Sequence, residues 1–424
     1  MLVEFSVENF RSIRERLTFS LVAAKGDERR DSHVIPSPAP ATPDLLRSAV
    51  IYGANAAGKS NLMKAIKVLD LVVTDTKAVG NPNSLVGHYQ PFLGDSDSRN
   101  RPTQFNVTFV DNSVRFDYWI AFDAERIVGE SLYAFPEGRA QRWFERSCDD
   151  DGDAMVYGGA LRGPKKSWEL AAEPNVSFLA TAKRMKSEQL SPIYNWFRKE
   201  LRYLLNAGKL RETYTADSSA GSEVRKSNVM EVVAKADLGI ADFGVSKVPM
   251  DINVPEPFGE KFRSMIQEAL GEDVPEVDEV RIVHRSETGH EMILSLDEES
   301  SGTGKLFALA GPWIDTLEHG YTLLIDELDT HLHPMMLNFM LETFNNKNTN
   351  PKGAQLVFTT HNTAPLSKVR RDQVWFAEKT ASLSTQLTPL SDFSPRKLEN
   401  IERGYLDGRY GGVPFLGYLD FGRE

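Results

Sequence analysis

The feature that most restricts the fold of this chain is the eight-residue stretch Gly53–Ser60, which reads GANAAGKS. An apolar run, AVIY, precedes it, and a helix-like sequence, NLMKAIKVLDLVV, follows it. This order of strand, glycine-rich turn and helix is the context in which G-x-x-x-x-G-K-[ST], the Walker A pattern, forms a phosphate-binding loop. The alternative, a turn without a ligand, does not need the lysine and serine. The stretch therefore predicts an α/β fold that binds a nucleoside triphosphate.

Each residue type that the pattern specifies has a physical task. The glycines let the backbone N–H groups point at phosphate oxygens, and Lys59 supplies a point charge. The Ser60 hydroxyl is an oxygen ligand of the kind that Mg²⁺ prefers. The predicted nucleotide-binding residues in and beside this loop are Gly53, Asn55, Gly58, Lys59, Ser60 and Asn61.

Composition narrows the class of protein. The chain has 424 residues, of which 41% are hydrophobic and 26% charged, as expected for a globular protein of two or three folding units. A net charge of −11 argues against a wholly basic nucleic-acid coat, although a local basic patch stays possible. A single cysteine, Cys148, excludes a disulfide framework or a cysteine-based metal site within one chain. With no apolar run near membrane length, we expect a cytoplasmic protein with no membrane partner.

Patterns along the chain predict three segments. Residues 1–164 contain two strands, the phosphate loop and an alternating meander over 103–135, such as VRFDYWIAF. Residues 165–275 are predicted to be a helical insertion, from stretches such as SPIYNWFRKELRYLL and KFRSMIQEAL. Residues 276–424 return to strands, beginning with a hairpin in EVRIVHRSETGHEMILSL.

A second chemical motif is TLLIDELDTHLHP, where a buried strand ends in two carboxylates, Asp326 and Glu327. Carboxylates at that position are costly unless they serve a cation or a reaction. Asp326 is predicted to hold Mg²⁺ through water, and Glu327 to polarise an attacking water as a general base. The alternative is a surface turn after a core strand.

A third motif is QLVFTTHNTAPL, in which another apolar strand is followed by His361. A histidine just beyond a strand end, on the edge shared with the other loops, is placed to reach a γ-phosphate and to hold the attacking water. A lone histidine in such a place is otherwise structural.

A second small-residue loop, ESSGTGKLF, opens a helix-like run after the hairpin. Free N–H groups and the helix dipole make such a start suitable for an anion. The alternative is an ordinary helix cap by a serine, worth about 1 kcal/mol. The residues concerned are Ser300, Ser301, Gly302 and Thr303.

Together these motifs resemble a known family. The stretches VENFRSI, IYGANAAGKSN, ESSGT, LLIDELDTHLHP, LVFTTHNT, RRDQVWFAEK and YLDGRYGGVPFL are similar to those of bacterial AAA/ABC-type ATPases allied to SMC and recombination-repair proteins and to the OLD family. Many such proteins are ATPase subunits of anti-phage systems, such as PARIS, Septu and abortive-infection modules. The resemblance implies a two-lobed ABC-type head, a P-loop NTPase with a mixed sheet, an antiparallel lobe and a helical insertion.

The resemblance also implies roles by position. Ser300 matches the signature serine, which caps the γ-phosphate held by a partner subunit, and Asp329 matches the D-loop aspartate at the dimer interface. Asn9, Phe10 and Arg11 match an element that frames the nucleotide. Gln90 is the choice for the Q-loop glutamine, with Gln104 as its rival. His331 and His333 flank the D-loop as a metal pair or, in the alternative, as part of a packed turn.

Two departures limit the resemblance. The insertion is too short and irregular for the long coiled coil of SMC proteins. The segment after His361 is too short for the metal-dependent nuclease domain of OLD proteins. Chromosome tethering and intrinsic nuclease activity therefore lose support.

A local basic patch lies in the insertion, from Lys183 to Arg211. It contains eight lysines and arginines against Glu188, Glu200 and, just beyond, Glu212, with tyrosine, tryptophan and phenylalanine between them. Three interpretations stay open: a solvated face, contact with nucleic-acid phosphates, or docking of a protein partner.

From these observations we expect a Mg²⁺-dependent ATPase that dimerises across ATP. Its expected task is to sense infection and to gate a separately encoded nuclease or toxin effector in anti-phage defence, with DNA or a phage protein as trigger. The alternative is an ATPase of DNA repair or DNA-end processing.

Overall fold

The computed structural model describes residues 1–149, 152–205, 213–236, 239–249, 276–393 and 399–414. The chain forms two compact units. The first comprises Met1–Ala207, Thr316–Thr330 and Pro334–Glu424, and the second comprises Gly208–Asp315 and His331–His333.

The strands of the described residues are numbered in chain order. They are β1 Leu2–Glu8, β2 Leu17–Ser20, β3 Val34–Ile35, β4 Leu45–Leu46, β5 Ser48–Gly53, β6 Thr103–Asp111, β7 Val114–Phe122, β8 Ile127–Phe135, β9 Gln141–Asp149, β10 Gly152–Tyr157, β11 Leu201–Leu204, β12 Ile240–Pro249, β13 Glu276–Arg285, β14 Glu291–Ser295, β15 Thr322–Ile325, β16 Gln355–Thr359, β17 Val374–Lys379 and β18 Thr385–Pro389.

The α-helices of the described residues are numbered in the same way. They are α1 Arg30–His33, α2 Lys59–Thr74, α3 Lys165–Leu170, α4 Phe178–Arg184, α5 Ser191–Asn195, α6 Thr213–Ser219, α7 Glu223–Lys235, α8 Ser301–His319, α9 Pro334–Asn345 and α10 Ile401–Leu406.

Two large sheets build the first unit, beside the short two-stranded sheet of β3 and β4. One has seven antiparallel strands in the order β10-β9-β8-β7-β6-β1-β2, and it contains the predicted meander. The other has six strands in the order β11-β15-β16-β5-β17-β18, all parallel except β18. Every residue of β5, β15 and β16 is buried, as expected for central parallel strands covered on both faces. The predicted α/β class with an antiparallel lobe is confirmed.

Helix α2, which follows the phosphate loop, belongs to the core that joins the two sheets. Its apolar face includes Leu62, Ile66 and Leu69, all almost completely buried. The same hydrophobic cluster contains Phe105 of the antiparallel sheet and Ile51 of the parallel sheet. Burying a Leu or Ile side chain contributes about 1.5–3 kcal/mol, so this helix fixes the phosphate loop to the hydrophobic core of the unit.

Residues 165–205, which we expected in a separate helical insertion, belong to the first unit. They form helices α3 to α5, but they also supply β11, which pairs in parallel with β15. The reason is their apolar content: Trp196 stacks on Phe109 with ring centroids 3.9 Å apart, and Phe197 is fully buried. The aromatic residues of the predicted basic patch are therefore largely core residues. Lys209 and Arg211 of that patch lie outside the described residues.

The second unit is built around the predicted hairpin. Strands β13 and β14 pair antiparallel, and β12 adds to β13 to give a three-stranded sheet. Helices α6, α7 and the first part of α8 contribute to its core. Val233, Phe243, Ile282, Phe307 and Ile314 are its central members. The predicted helical stretch KFRSMIQEAL lies outside the described residues.

Among the helices that the structure describes, none combines the length and the apolar character needed to cross a membrane.

The stacked pair of Phe109 and Trp196 allows a direct test of this core. We expect Phe109→Ala to lower the free energy of unfolding by about 3–5 kcal/mol, because it leaves a cavity in a fully buried site. Leu170 is a matched control, since its side chain is 88% exposed and Leu170→Ala should change stability by about 0.5 kcal/mol or less. Urea unfolding followed by circular dichroism measures both. Equal effects of the two substitutions would refute this assignment of the core.

Candidate functional site

The Lys59 side chain lies inside the curve of the phosphate loop. Its Nζ donates to the carbonyl oxygens of Gly53 at 2.7 Å and Ala54 at 3.2 Å, and lies 3.3 Å from His361 Nε2. Lys59 is 6% exposed. An ammonium group so enclosed, beside the free N–H groups of the first turn of α2, is placed to meet a phosphate.

Two glycines allow the loop to adopt this shape. Gly58 has φ of 105°, and a Cβ there would lie 2.0 Å from Thr385 Oγ1. A Cβ at Gly53 would lie 2.5 Å from the carbonyl oxygen of Ala377 in β17. Thr385 in turn donates through Oγ1 to the carbonyl of Ala57 at 3.0 Å. Strands β17 and β18 therefore hold the loop from behind, which no local sequence pattern indicated.

The parallel sheet brings the predicted carboxylates and the predicted histidine to the same edge. Strands β15, β16 and β5 are adjacent and parallel, so their carboxyl ends meet there. Asp326 and Glu327 follow β15, and His361 follows β16. Asp326 is 6% exposed, whereas Glu327 is exposed to solvent. The structure thus places a buried carboxylate and a solvent-accessible one beside Lys59.

The charges of this edge act on one another. Burial lowers the pKa of Lys59, and the carboxylates of Asp326, Glu327 and Asp329 partly oppose that shift. Burial and the neighbouring Lys59 ammonium lower the pKa of His361, and the same three carboxylates partly oppose this shift. The lowered pKa favours the neutral form of His361 near pH 7. In the neutral imidazole, Nε2 accepts a hydrogen bond from the Lys59 ammonium group.

A buried threonine, Thr359, organises the acidic pair and was not among the predicted site residues. Its Oγ1 donates to Asp326 Oδ1 at 2.7 Å and accepts the N–H of Glu327 at 2.7 Å. Its carbonyl oxygen accepts the N–H of Leu328 at 3.1 Å. Glu327 has φ of 52°, a left-handed conformation that costs a non-glycine residue about 1–3 kcal/mol unless the surroundings fix it. Thr359 supplies that fixation, and the signal for it was one polar residue ending an apolar strand.

Asp329 lies in the same neighbourhood. Its Oδ2 accepts the backbone N–H of His361 at 3.1 Å. Its Oδ1 is buried and has no hydrogen-bond partner among the described residues. The expected D-loop aspartate therefore holds the histidine loop of its own chain and retains one unused acceptor.

The element that begins with Asn9 has two parts with different tasks. The Asn9 side chain is buried and binds backbone groups of residues 92–102, including the carbonyl of Ser98 at 2.8 Å, and Phe10 is fully buried. Arg11 instead reaches the loop: its Nε donates to Gln90 Oε1 at 2.6 Å and its Nη1 to Asn61 Oδ1 at 3.4 Å. Asn9 and Phe10 thus position Arg11.

The rival glutamines differ in position. Gln90 also accepts the backbone N–H of Arg11 at 2.6 Å. Gln104 lies within β6, paired with Glu8 and Ala121. This favours Gln90 as the glutamine beside the phosphate loop.

The small-residue loop of the second unit is a capped helix start. Ser300 Oγ accepts the N–H of Thr303 at 3.1 Å and lies 2.8 Å from Thr303 Oγ1. A Cβ at Gly302 would lie 2.9 Å from the carbonyl of His331, whose φ is 60°. Ser300 and Ser301 are exposed. The left-handed His331 fits the packed turn rather than the metal pair.

The C-terminal stretch YLDGRYGG packs behind the phosphate loop. Gly408, Gly411 and Gly412 all have φ near 70°, and a Cβ at Gly412 would lie 3.4 Å from the Cα of Gly53. Tyr405 and Tyr410 are buried against Phe376. The glycines of this stretch therefore form tight turns, and its tyrosines pack on the core behind the loop.

The donor set fits a magnesium nucleotide. The hydroxyl of Ser60 in the first turn of α2 and the carboxylate of Asp326 are oxygen ligands, which Mg²⁺ prefers. No cluster of three or more histidine, cysteine, aspartate or glutamate side chains that suits a metal ion occurs within the described ranges. Any magnesium would therefore be bound jointly by protein and phosphate, as is usual for this ion.

Comparison with known proteins agrees with this geometry. A family model described as "AAA domain, putative AbiEii toxin, Type IV TA system" matches residues 48–367, which contain the phosphate loop, the acidic pair and His361. The chain belongs to this family.

Two individual similarities are more distant. The chain is 22% identical over 365 residues to the Retron Vc95 probable ATPase of Vibrio cholerae serotype O1 biovar El Tor, covering 77% of this chain and 68% of that protein. It is also similar to the Smc head domain with a coiled coil and joint from Pyrococcus yayanosii, with 11% identity, a TM-score of 0.41, and coverage of 93% of this chain and 99% of that one.

Thr359 gives the sharpest test of the site. We expect Thr359→Val to lower the rate of ATP hydrolysis about 10–100-fold, since it keeps the shape but leaves Asp326 and the Glu327 N–H without their shared hydroxyl. The Mg²⁺ concentration needed for half of the maximal rate should rise as well. Thr359→Ser keeps the hydroxyl and should restore most of both. A valine variant with normal rate and normal Mg²⁺ dependence would remove Thr359 from this role.

Proposed function

We propose that this protein is a Mg²⁺-dependent ATPase that dimerises across its nucleotides. The observation that carries the proposal is the meeting of Lys59, Asp326, Glu327 and His361 at one edge of the parallel sheet. A P-loop lysine beside two carboxylates and a histidine suits phosphoryl transfer to water, because such sites need phosphate positioning, a magnesium ligand and a group that orients the attacking water. Membership of a family of AAA domains and similarity to a probable ATPase support the same activity.

In the proposed mechanism the chain's residues divide the work. Lys59 leaves the carbonyls of Gly53 and Ala54 for phosphate oxygens of ATP, which compensates its burial. Glu327, solvent-accessible and held by Thr359, accepts a proton from the attacking water, and neutral His361 holds that water. Ser60 and Asp326 would hold the magnesium ion, whose charge neutralises the phosphates when it is bound.

The dimer gives the second anion site its purpose. In our proposal the exposed Ser300 loop at the start of α8 caps the γ-phosphate bound by the partner's phosphate loop. Support comes from the exposure of Ser300 and Ser301 at the start of this helix, where free N–H groups can meet an anion. Two anion sites per chain then belong to two different composite sites.

The biological role proposed is gating of a separately encoded nuclease or toxin during phage infection. It rests on the similarity to a retron ATPase and on the family description, which names a toxin–antitoxin system. The alternative is a DNA-repair ATPase, which the resemblance to recombination proteins supports. Co-purification with the product of the neighbouring gene, with and without ATP, separates them: a small toxic effector supports the first, and a recombination nuclease the second.

Glu327→Gln is expected to bind ATP but to hydrolyse it at least about 100-fold more slowly, because the substitution keeps the shape and removes the base. The variant should accumulate as an ATP-bound dimer on size-exclusion chromatography. An unchanged turnover rate would exclude Glu327 as the general base.

The composite site predicts rescue between two inactive variants. Lys59→Ala should lose hydrolysis because its own loop fails, and Ser300→Arg because it blocks the partner's γ-phosphate while monomeric ATP binding is kept. In a mixed dimer one composite site carries both defects, and the other has an intact loop and an intact signature. Mixing should therefore restore part of the activity.

The control for this experiment is a tag pull-down that demonstrates mixed dimers. If the Ser300 loop acted only on its own chain, every site would retain a defect and mixing would restore nothing. Normal activity of Ser300→Arg alone would reduce the loop to a helix cap.

A further inference from the structure

A cavity of about 780 Å³ opens on the first unit. It is formed by the start of β9, the turn before α3 and the loop after α4. Its size falls in the range of about 300–1,000 Å³ that is usual for small-molecule sites. The lining residues that matter here are Gln141, Trp143, Arg162, Trp168, Lys186 and Glu188.

The walls of this cavity are tied together by the protein itself. Gln189 bridges two loops: its Oε1 accepts the N–H of Arg162 at 2.8 Å, and its Nε2 donates to the carbonyl of Ala160 at 3.1 Å. Gly163, with φ of 112°, lies so near Trp168 that a Cβ would be 2.4 Å from the indole ring. The cavity is therefore set by packing and hydrogen bonds before any ligand arrives.

The lining combines cations with aromatic rings. Arg162 and Lys186 are both exposed and come from different loops, and Glu188 is the one carboxylate among the lining residues. Trp143 is half-buried and Trp168 is buried. Cations beside an indole, with the amide of Gln141 for hydrogen bonds, suit a ligand that carries both a phosphate and a base.

We propose that this cavity binds an unpaired nucleotide, with its base beside Trp143 and its phosphate between Arg162 and Lys186. The ligand is either a free nucleotide or one unit of a single-stranded nucleic acid. The basic patch read from the sequence shares Lys186 with the cavity, but Trp196 and Phe197 of that patch are buried in the core and cannot stack on a base. The site goes beyond the ATPase reaction and uses none of its residues.

The test uses the full-length chain with Lys59→Ala, so that binding at the phosphate loop does not contribute. The probe is a fluorescein-labelled oligothymidylate of about 12 nucleotides, within the range that single-strand-binding modules cover. We expect Arg162→Glu with Lys186→Glu to weaken its binding about tenfold or more, as measured by fluorescence anisotropy. The salt dependence should become shallower by about 1.4 in log–log slope, because each phosphate contact to a single strand contributes about 0.7.

The matched control is Lys25→Glu with Lys347→Glu, which changes the net charge equally at exposed residues that do not line the cavity. It should leave the affinity within about twofold. Trp143→Leu should weaken binding about tenfold, and Trp143→Phe should restore most of it, since a phenyl ring still stacks. Circular dichroism confirms that each variant is folded.

Thymidine monophosphate distinguishes the two sources of the ligand. Competition by the monophosphate as strong as that by the unlabelled oligonucleotide identifies a free nucleotide, and a much stronger oligonucleotide identifies a nucleic-acid strand. Equal losses in the cavity and control double variants, or undiminished binding of an abasic strand, would overturn the proposal. ATP hydrolysis by the Arg162→Glu, Lys186→Glu chain with Lys59 intact should be normal, so this outcome is independent of the proposed ATPase function.

Discussion

A buried ammonium group governs the arrangement of this site. Lys59 lies almost out of contact with solvent, and a charge in such a place is costly unless it is paired. The carbonyls of Gly53 and Ala54 satisfy it directly, while Asp326, Glu327 and Asp329 oppose the fall in its pKa. The carbonyls belong to the phosphate loop itself, but the three carboxylates follow β15, which is far from β5 in the chain. The strand order β15-β16-β5 therefore brings the opposite charges to the buried ammonium group.

Residues outside the phosphate loop also hold it in place through hydrogen bonds. Thr385 holds the loop from β18, and Ser12 lies 2.7 Å from that threonine while also accepting from Asn61 at 2.7 Å. Thr363, just after the His361 loop, donates to Glu402 of α10 at 2.5 Å. The C-terminal stretch thus contacts both the phosphate loop and the histidine loop. The same C-terminal segment therefore connects the two loops through packing and hydrogen bonds.

The sequence predicted those features whose cause is local. The Walker A motif has its glycines, lysine and serine within eight consecutive residues, and the acidic pair directly follows its own strand. Both were therefore predictable from the sequence alone. The roles of Thr359 and Thr385 were not predictable in this way, because they depend on which strands become neighbours. Trp196 and Phe197 were assigned to a basic surface because spacing alone does not tell which face of a short helical turn is buried. Residues 165–205 likewise look helical locally, yet their apolar side chains contribute to the core of the first unit.

Backbone strain follows the chemistry of the site. Of the eleven described non-glycine residues with positive φ, four lie in or near the phosphate loop and the acidic pair: Asn9, Arg11, Ala56 and Glu327. Each such conformation costs about 1–3 kcal/mol, and it persists only where neighbouring contacts determine it. At Glu327 those contacts come from Thr359, and at Asn9 and Arg11 from residues 90–103. Because the strain is held by strands and loops that pack into one core, the site keeps its carboxylate, guanidinium and loop amides in place before a nucleotide binds, and little reorganisation is left for the reaction itself.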